Sequence, residues 1–327
     1  MSFKRLETSD FVISADSISS TLWSTQTPSL TNFFTSSAQI AGSSGQFYYN
    51  VYQTASFLAN AEIQFAVAYG NKYGSGSLNY SNLIDGYSPS STVYGQWQNL
   101  IIGDENTDFV FGGVSSSNFV AITFERTRYK ESLLPGSLLL TLGSGPNALL
   151  LKDSSEYTNT ATFTEAGRVF NLITASSTND ASTYGWFLPD ISSIILNTGT
   201  NGVTSSLSAW SGSASGSNAP NESPMKSIID GLTAGGNFKI NSQETITSNY
   251  IFIRAKSSEF NYSENPSFIS GSTGEILYNS FINNPQTYIT TVGLYNDTNE
   301  LLAVAKLSRP LPKDFTSEAL IRVKLDF

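Results

Sequence analysis

The chain has no cysteine and no histidine in its 327 residues. Without cysteine there is no disulfide framework, so stability has to come from a core or from assembly. Without histidine a serine nucleophile lacks its ordinary general base, and zinc loses its usual ligands. A Ser-Lys pair remains conceivable on paper, but no site is assigned to one. No glycine-rich turn ends in the Gly-Lys-Ser/Thr of a phosphate loop, and the Gly-Ser-Gly patches at 74–76 and 143–145 read as turns. Charge is scarce: 13% of residues are charged, about half the roughly 25% of an average globular protein. The net charge is −9 with no long basic run, which argues against binding a phosphate backbone. No stretch approaches the roughly 18 consecutive apolar residues of a membrane span, and Met1 to Leu6 lack the apolar core of a signal peptide. The expectation is a soluble chain, made in a cytoplasm, with no nucleic acid, membrane or cofactor among its partners.

Ser, Thr, Asn and Gly replace the missing charge, while aromatics reach 13%, so the composition is not that of a disordered chain. Such residues suit strand faces, turns and neutral contact surfaces. The densest charge lies in 93–142, which reads as a helix followed by paired strands. Ser90 or Ser91 is the expected N-cap. Val93, Trp97, Leu100 and Ile101 fall on one apolar stripe, and Gly103 is placed as a left-handed stop. Phe109 to Phe111, the turn Gly112-Gly113, and Phe119 to Phe124 follow as strand, turn and strand. Leu134-Pro135-Gly136 then turns the chain into a returning strand, 137–142.

Residues 1–40 are rich in Ser and Thr, with apolar pairs such as Leu22-Trp23 and Phe33-Phe34. They read as an extended N-terminal arm packing on neighbours, or as an edge strand of the chain's own sheet. In 61–69, Ile63, Phe65 and Val67 alternate with polar or small residues at a period of two. Three strand-like pieces occupy 149–173, and 184–197 reads as two strands hinged at Pro189-Asp190. Residues 198–224 form the longest Ser/Gly/Asn-rich loop. A short helix is expected over 225–232, stopped by Gly235-Gly236, then a strand at 250–255. The most legible hairpin joins 286–295 to 301–307 across Asn296-Asp297-Thr298-Asn299. Residues 321–327 alternate strictly. The expected fold is mainly β, antiparallel sheets or a sandwich with a few short helices, as one domain over 41–327. The central stretch and the C-terminal strands are expected to share its core sheet.

Few groupings invite chemistry. Asp104, Asn106 and Asp108 match the start of a calcium loop, but Phe109 and Ser115 stand where glycine and glutamate are needed, so a helix-to-strand loop is the reading. None of the 26 acids shows a pairing for glycoside hydrolysis. Trp210 is isolated in the Ser/Gly loop, either a partner anchor or a local loop core. Arg126, Arg128, Lys130 and Glu131 are candidate interface charges, with the planar fork of Arg128 the foremost.

Three passages carry a resemblance: FKRLETSDFVISADSISSTLWS at the start, LIIGDENTDFVFGG with FERTRYKESLLPGSL in the middle, and TTVGLYNDTNELLAVAKLSRPLPKDF near the end. They resemble virion structural proteins of large contractile-tailed phages, especially those of marine cyanobacteria. The resemblance implies a tail, baseplate or neck component, present in many copies, that touches other virion proteins and copies of itself. It brings no catalytic residues. The expected role is therefore structural and non-enzymatic, in the virion, with baseplate ahead of neck or collar. Residues 1–40 and 198–224 are expected to carry much of the contact. The alternative is a carbohydrate- or receptor-binding module of the tail that meets a host surface glycan through Trp210 and tyrosine-rich loops.

Overall fold

A computed structural model of the protein describes residues 3–35, 48–74, 90–157, 162–177, 183–199, 202–203 and 219–326, with side chains from 221 onward in the last stretch. The fold is mainly β, built from antiparallel sheets, with three α-helices among the described residues. It forms two compact units, Ile18–Glu244 and Met1–Ser17 with Thr245–Phe327. The expected division, an arm of 1–40 and a single domain of 41–327, falls elsewhere. Leu22, Trp23, Leu30 and Phe33 are core residues of the larger unit. Leu22-Trp23 and Phe33 in that polar N-terminal stretch are therefore buried within the chain itself, whereas Phe34 is exposed.

The larger unit is organised by one 12-stranded sheet. Its path runs Ser29–Leu30, Asn237–Lys239, Leu139–Leu142, Leu149–Asp153, Gly167–Thr174, Gly185–Leu188, Ser193–Asn197, Asn118–Phe124, Ile63–Asn71, Tyr48–Tyr52 and Phe34–Thr35, with Thr162–Thr164 beside Gly167–Thr174. The first and last strands of that path are separated in sequence only by residues 31–33, so the sheet curls until its ends meet. Phe238, second from one end, and Phe65, third from the other, accordingly stand 5.5 Å apart between ring centroids. Strand alternation sorts the side chains between two faces. Val120, Ile122 and Phe124 point into the inner cluster, where Met225, Ile228 and Leu232 of helix Ala219–Thr233 fill the space. Phe119 and Ala121 point outward, beneath helix Ser90–Ile101.

The central stretch keeps its predicted elements but not their predicted unity. Helix Ser90–Ile101 ends where expected: Gly103 has φ +79° and donates to the carbonyls of Gln98 and Asn99. Its buried stripe is Tyr94, Gln98 and Ile101, whereas Leu100 is exposed. Polar tips decide the shift, because the Tyr94 hydroxyl donates to Ser116 O at 2.7 Å and Gln98 Nε2 to Thr107 O at 2.7 Å. Ser90 and Ser91 both lie inside the first turn, and the buried Ser90 hydroxyl has no hydrogen-bond partner among the described residues. Phe109–Phe111 folds back on Val114–Ser116 across Gly112 and Gly113, at φ +56° and +82°, instead of pairing with Asn118–Phe124. Leu139–Leu142 likewise pairs with Leu149–Asp153 and Asn237–Lys239. Local turn chemistry is visible in sequence, whereas the partner of a strand is chosen by face and register across the whole sheet.

Strand Asn241–Ala255 begins in the larger unit, where Ser242 and Gln243 pair with Leu133 and Ser132, and continues into the smaller one. There residues 248–255 pair with Ala319–Asp326, while Phe11–Thr21 lies on the other side of the same strand. Gln286–Tyr295 and Leu301–Asp314 pair only with each other, as a long ribbon. Its turn is the predicted one. Asn299 takes φ +63°, and Asn296 Oδ1 accepts from the amides of Thr298 and Glu300. The core sheet expected from 93–142 with 286–327 is met only in part: Asn118–Phe124 and Leu139–Leu142 lie in the 12-stranded sheet, while Ser132–Leu133 and Ala319–Asp326 share strand Asn241–Ala255. The ribbon strands alternate exposed with half-buried residues and bury no apolar side chain, so they do not supply the apolar face that a shared core needs.

Part of the expected loop 198–224 is helical, because helix Ala219–Thr233 starts six residues before Met225, with Pro224 inside it. Residues 200–201 and 204–218 of that loop lie outside the described residues.

Candidate assembly surface

The smaller unit has little core. Its only fully buried apolar side chains among the described residues are Ile251, Ala255, Ala319 and Val323. Conversely, fifteen of the 26 exposed large hydrophobic side chains among the described residues belong to it, although it holds under a third of the chain. Ile13 is 73% exposed and Leu302 68%. Single exposed apolar residues need no explanation, but a concentration of them in one poorly cored unit marks a contact surface. Strand 319–326 alternates strictly, and its partner 248–255 places Ile251, Ile253 and Ala255 on the same face as Val323, Ile321 and Ala319. Ile251, Ile253, Ile321 and Leu325 line an open apolar trough together with ribbon residues such as Ile289 and Leu294. The opposite face carries Tyr250, Arg254, Arg322 and Lys324, with the Arg322 guanidinium 5.5 Å from the Tyr250 ring centre. A two-stranded ribbon whose better-covered face is only half-buried is marginal by itself in water.

Two devices hold this unit together despite its small core. Lys4 Nζ reaches Glu259 Oε2 at 2.7 Å and Arg254 O at 2.5 Å, and the Phe3 ring meets Tyr295 edge-on at 5.3 Å. Residues 3–17 are therefore tied to their own chain, as the edge-strand alternative requires. At the ribbon's base, Lys313 is fully buried and its ammonium donates to Asn261 Oδ1 at 2.8 Å, Asp314 O at 2.7 Å and Ser257 O at 3.1 Å.

Beside it, the Asp314 carboxylate accepts from Ser317 Oγ, Thr316 Oγ1 and the Thr316 amide at 2.7–2.9 Å. These bonds hold its pKa at about 2. The unfolded group titrates near 3.9, so its contribution is complete above about pH 4 and lost as pH falls through about 2. Hydrogen exchange of the 286–314 ribbon between pH 4 and 2 should show that loss, and Asp314→Ala should flatten the profile. An unchanged profile in the variant would remove this carboxylate from the acid response.

The predicted interface charges lie in the larger unit. Arg126 and Arg128 sit in a 3₁₀ turn after strand Asn118–Phe124. Arg126 donates to Tyr129 O at 2.8 Å and stacks over the Tyr129 ring at 4.8 Å. Arg128 Nη1 pairs with Glu62 at 2.7 Å, its side chain only 16% exposed, so its fork is engaged within the chain. Lys130 is anchored by its amide, which donates to Ser242 Oγ at 3.0 Å, and its side chain is exposed. Glu131 is also exposed, and its charge adds to the Asp190 hydrogen bonds that hold Arg168 above its ordinary pKa. Trp210 lies outside the described residues.

The other chemical groupings find structural uses. Asp104 accepts from the Asn106 amide and Thr107 Oγ1, which lowers its pKa, while Asp108 pairs with Lys72 at 2.6 Å. That is a helix-to-strand loop, as read. Among the described residues no three acidic, His or Cys side chains gather to hold a metal, and no helix is long and apolar enough to cross a membrane. Ser223 and Lys226 stand at Ser-x-x-Lys spacing, which the sequence reading does not use. In the helix Ser223 O accepts from Ser227 Oγ, and Lys226 acts electrostatically on Asp230 one turn on.

Sequence reasoning missed Lys313, because a lysine between Pro312 and Asp314 carries no local sign of burial. It also missed the exposed strands 11–17 and 319–326 as a matched pair of edges. The one available signal was the charge they carry, Asp16 on the first and Arg322 and Lys324 on the second. No protein-family model, curated protein or solved structure matches this chain.

Proposed function

We propose that this chain is a structural component of a tailed-phage virion, in the contractile-tail baseplate ahead of the neck or collar, acting through contacts with neighbouring virion proteins and with copies of itself. The observation that carries the assembly role is the exposed apolar surface of the smaller unit over an almost absent core. Covering one such side chain contributes about 1.5–3 kcal/mol, so a patch of this size can offset the roughly 4–15 kcal/mol that association costs. The resemblance of the opening, central and C-terminal passages supplies the kind of particle. The neutral, Ser/Thr/Asn-rich composition supports the same role, since interfaces are depleted in charge at their centres.

The test is symmetric reconstruction of intact particles. A ring of this chain at the tail end, with the smaller unit's apolar side chains covered by neighbours, is the expected result. A ring beneath the head would move the protein to the neck. Absence from the particle would overturn the proposal.

A further inference from the structure

The small sheet formed by residues 11–17, 245–255 and 319–326 has two outer edges, and among the described strands nothing pairs with either. Open edges are templates for another strand, and proteins ordinarily blunt them with proline, bulges, cover or charged side chains, of which these edges carry only the charges. Neither strand here contains proline, and Phe11–Thr21 has no buried side chain along its eleven residues. The two edges within this unit are nearly equal in length, seven residues and eight. Their charges differ in sign. Asp16 lies on the first edge strand and Asp10 just ahead of it, whereas Arg322 and Lys324 share the exposed face of the other with Asp326, which pairs with Lys324 at 2.9 Å and leaves that face net positive.

That asymmetry selects the partner. Two copies of the first edge would bring acid against acid, and two copies of the second would set Arg322 and Lys324 against themselves; like charges across a strand pair are destabilising. Unlike edges attract. The attraction already operates inside one chain, where Lys324 is held above its ordinary pKa mainly by its Asp326 hydrogen bond and more weakly by Asp16 across the intervening strand. Phe11, Val12, Ile13 and Leu320 are exposed on these same strands and would be covered by such a union.

We propose that identical subunits join head-to-tail, edge strand 11–17 of one copy adding beside strand 319–326 of the next, to close a ring. This rests on the assembly reading above and names a second copy as partner for part of the same surface. A head-to-tail contact uses two different patches, so it propagates past a dimer and closes when the rotation per subunit permits.

Sedimentation velocity of the purified full-length chain, over a wide concentration range in low and high salt, tests this. The expected species is larger than a dimer and weakens with salt. Asp16→Lys and the pair Arg322→Glu with Lys324→Glu should each weaken assembly at least tenfold, and the three changes together should restore it. Ile13→Lys should also disrupt assembly, and circular dichroism of each variant establishes that it is folded. A monomer at every concentration, an assembly that stops at a dimer, or indifference to both charge reversals would overturn the proposal. A monomeric purified chain that is nonetheless found in particles sinks the ring alone. A ring in solution with no copy in particles sinks the virion role alone.

Discussion

Trp23→Ala is expected to destabilise the larger unit by about 3–5 kcal/mol, the usual cost of truncating a buried aromatic. Trp23 is 2% exposed and stands where the curled sheet meets itself. Its ring centroid lies 5.3 Å from Phe238, 6.0 Å from Phe124 and 6.4 Å from Phe65, residues on strands from both halves of the sheet's path. Removing the indole leaves a void between strand Asn237–Lys239 and the mutually paired strands Ile63–Asn71 and Asn118–Phe124, and among the described strands no ladder joins the first to the other two. The indole Nε1 is buried without a hydrogen-bond partner among the described residues, a standing cost that phenylalanine does not carry. Trp23→Phe should therefore lose far less than alanine, despite its smaller ring. Amide exchange in Ser193–Asn197, a strand buried along its whole length, reads the effect. An alanine variant within about 1 kcal/mol of the parent would mean that the sheet closes without this side chain.

Gln64 shows why such a closure is hard to see in advance. In the sequence it is a polar partner to Phe65 in a period-two strand, and polar residues in such patterns ordinarily face water. In the fold it is wholly buried. It accepts from the Ser24 amide at 3.1 Å and donates to Ser24 Oγ at 2.8 Å, to Gln53 Oε1 at 3.1 Å and to Glu62 O at 2.8 Å. Its partners lie up to forty residues away, so only the folded chain makes burial affordable.

The legible parts were those with local causes. Gly103 ends its helix, Gly112-Gly113 turns its hairpin, Pro189-Asp190 separates two strands, and Asn296 organises its turn because each conformation is written within four residues. Strand partners were not legible, since every strand of the 12-stranded sheet offers a similar apolar face and sequence distance does not rank them. The candidate site divides in the same way. The charge cluster of 126–131 is plain in the sequence, but the pairing of Arg128 with Glu62 is not. The exposed character of 286–314 was hidden for another reason. Its alternation of large and small residues reads as a half-buried strand, and only the absence of a covering layer in the isolated chain reveals it as surface.

Lys313→Met should raise amide exchange of the 286–314 ribbon roughly 100-fold, from a loss of about 3 kcal/mol, while leaving strand Ser193–Asn197 unchanged. Methionine keeps most of the stem's volume but none of its donors. Three oxygens, Asn261 Oδ1, Asp314 O and Ser257 O, would lose a charge-assisted bond at once, and the loss falls hardest on the buried Asn261 Oδ1, since Ser257 O keeps its bond from Asn261 Nδ2. The damage should spread through residues 257–261. Asn261 Nδ2 donates back to Ser257 O at 2.6 Å, and Thr287 Oγ1 donates to Phe260 O at 2.6 Å, while Phe260 is held at φ +56°, where non-glycine residues are uncommon. Once the ammonium no longer gathers these carbonyls, nothing compensates the strained residue, and the segment that grips Thr287 at the ribbon's first strand relaxes. Lys313→Arg should not rescue it, because a planar fork presents its donors in a different geometry from a compact ammonium. Exchange in the ribbon unchanged by both substitutions would mean that the ribbon is held by its own ladder, and the buried lysine would then be a consequence of the fold and not one of its supports.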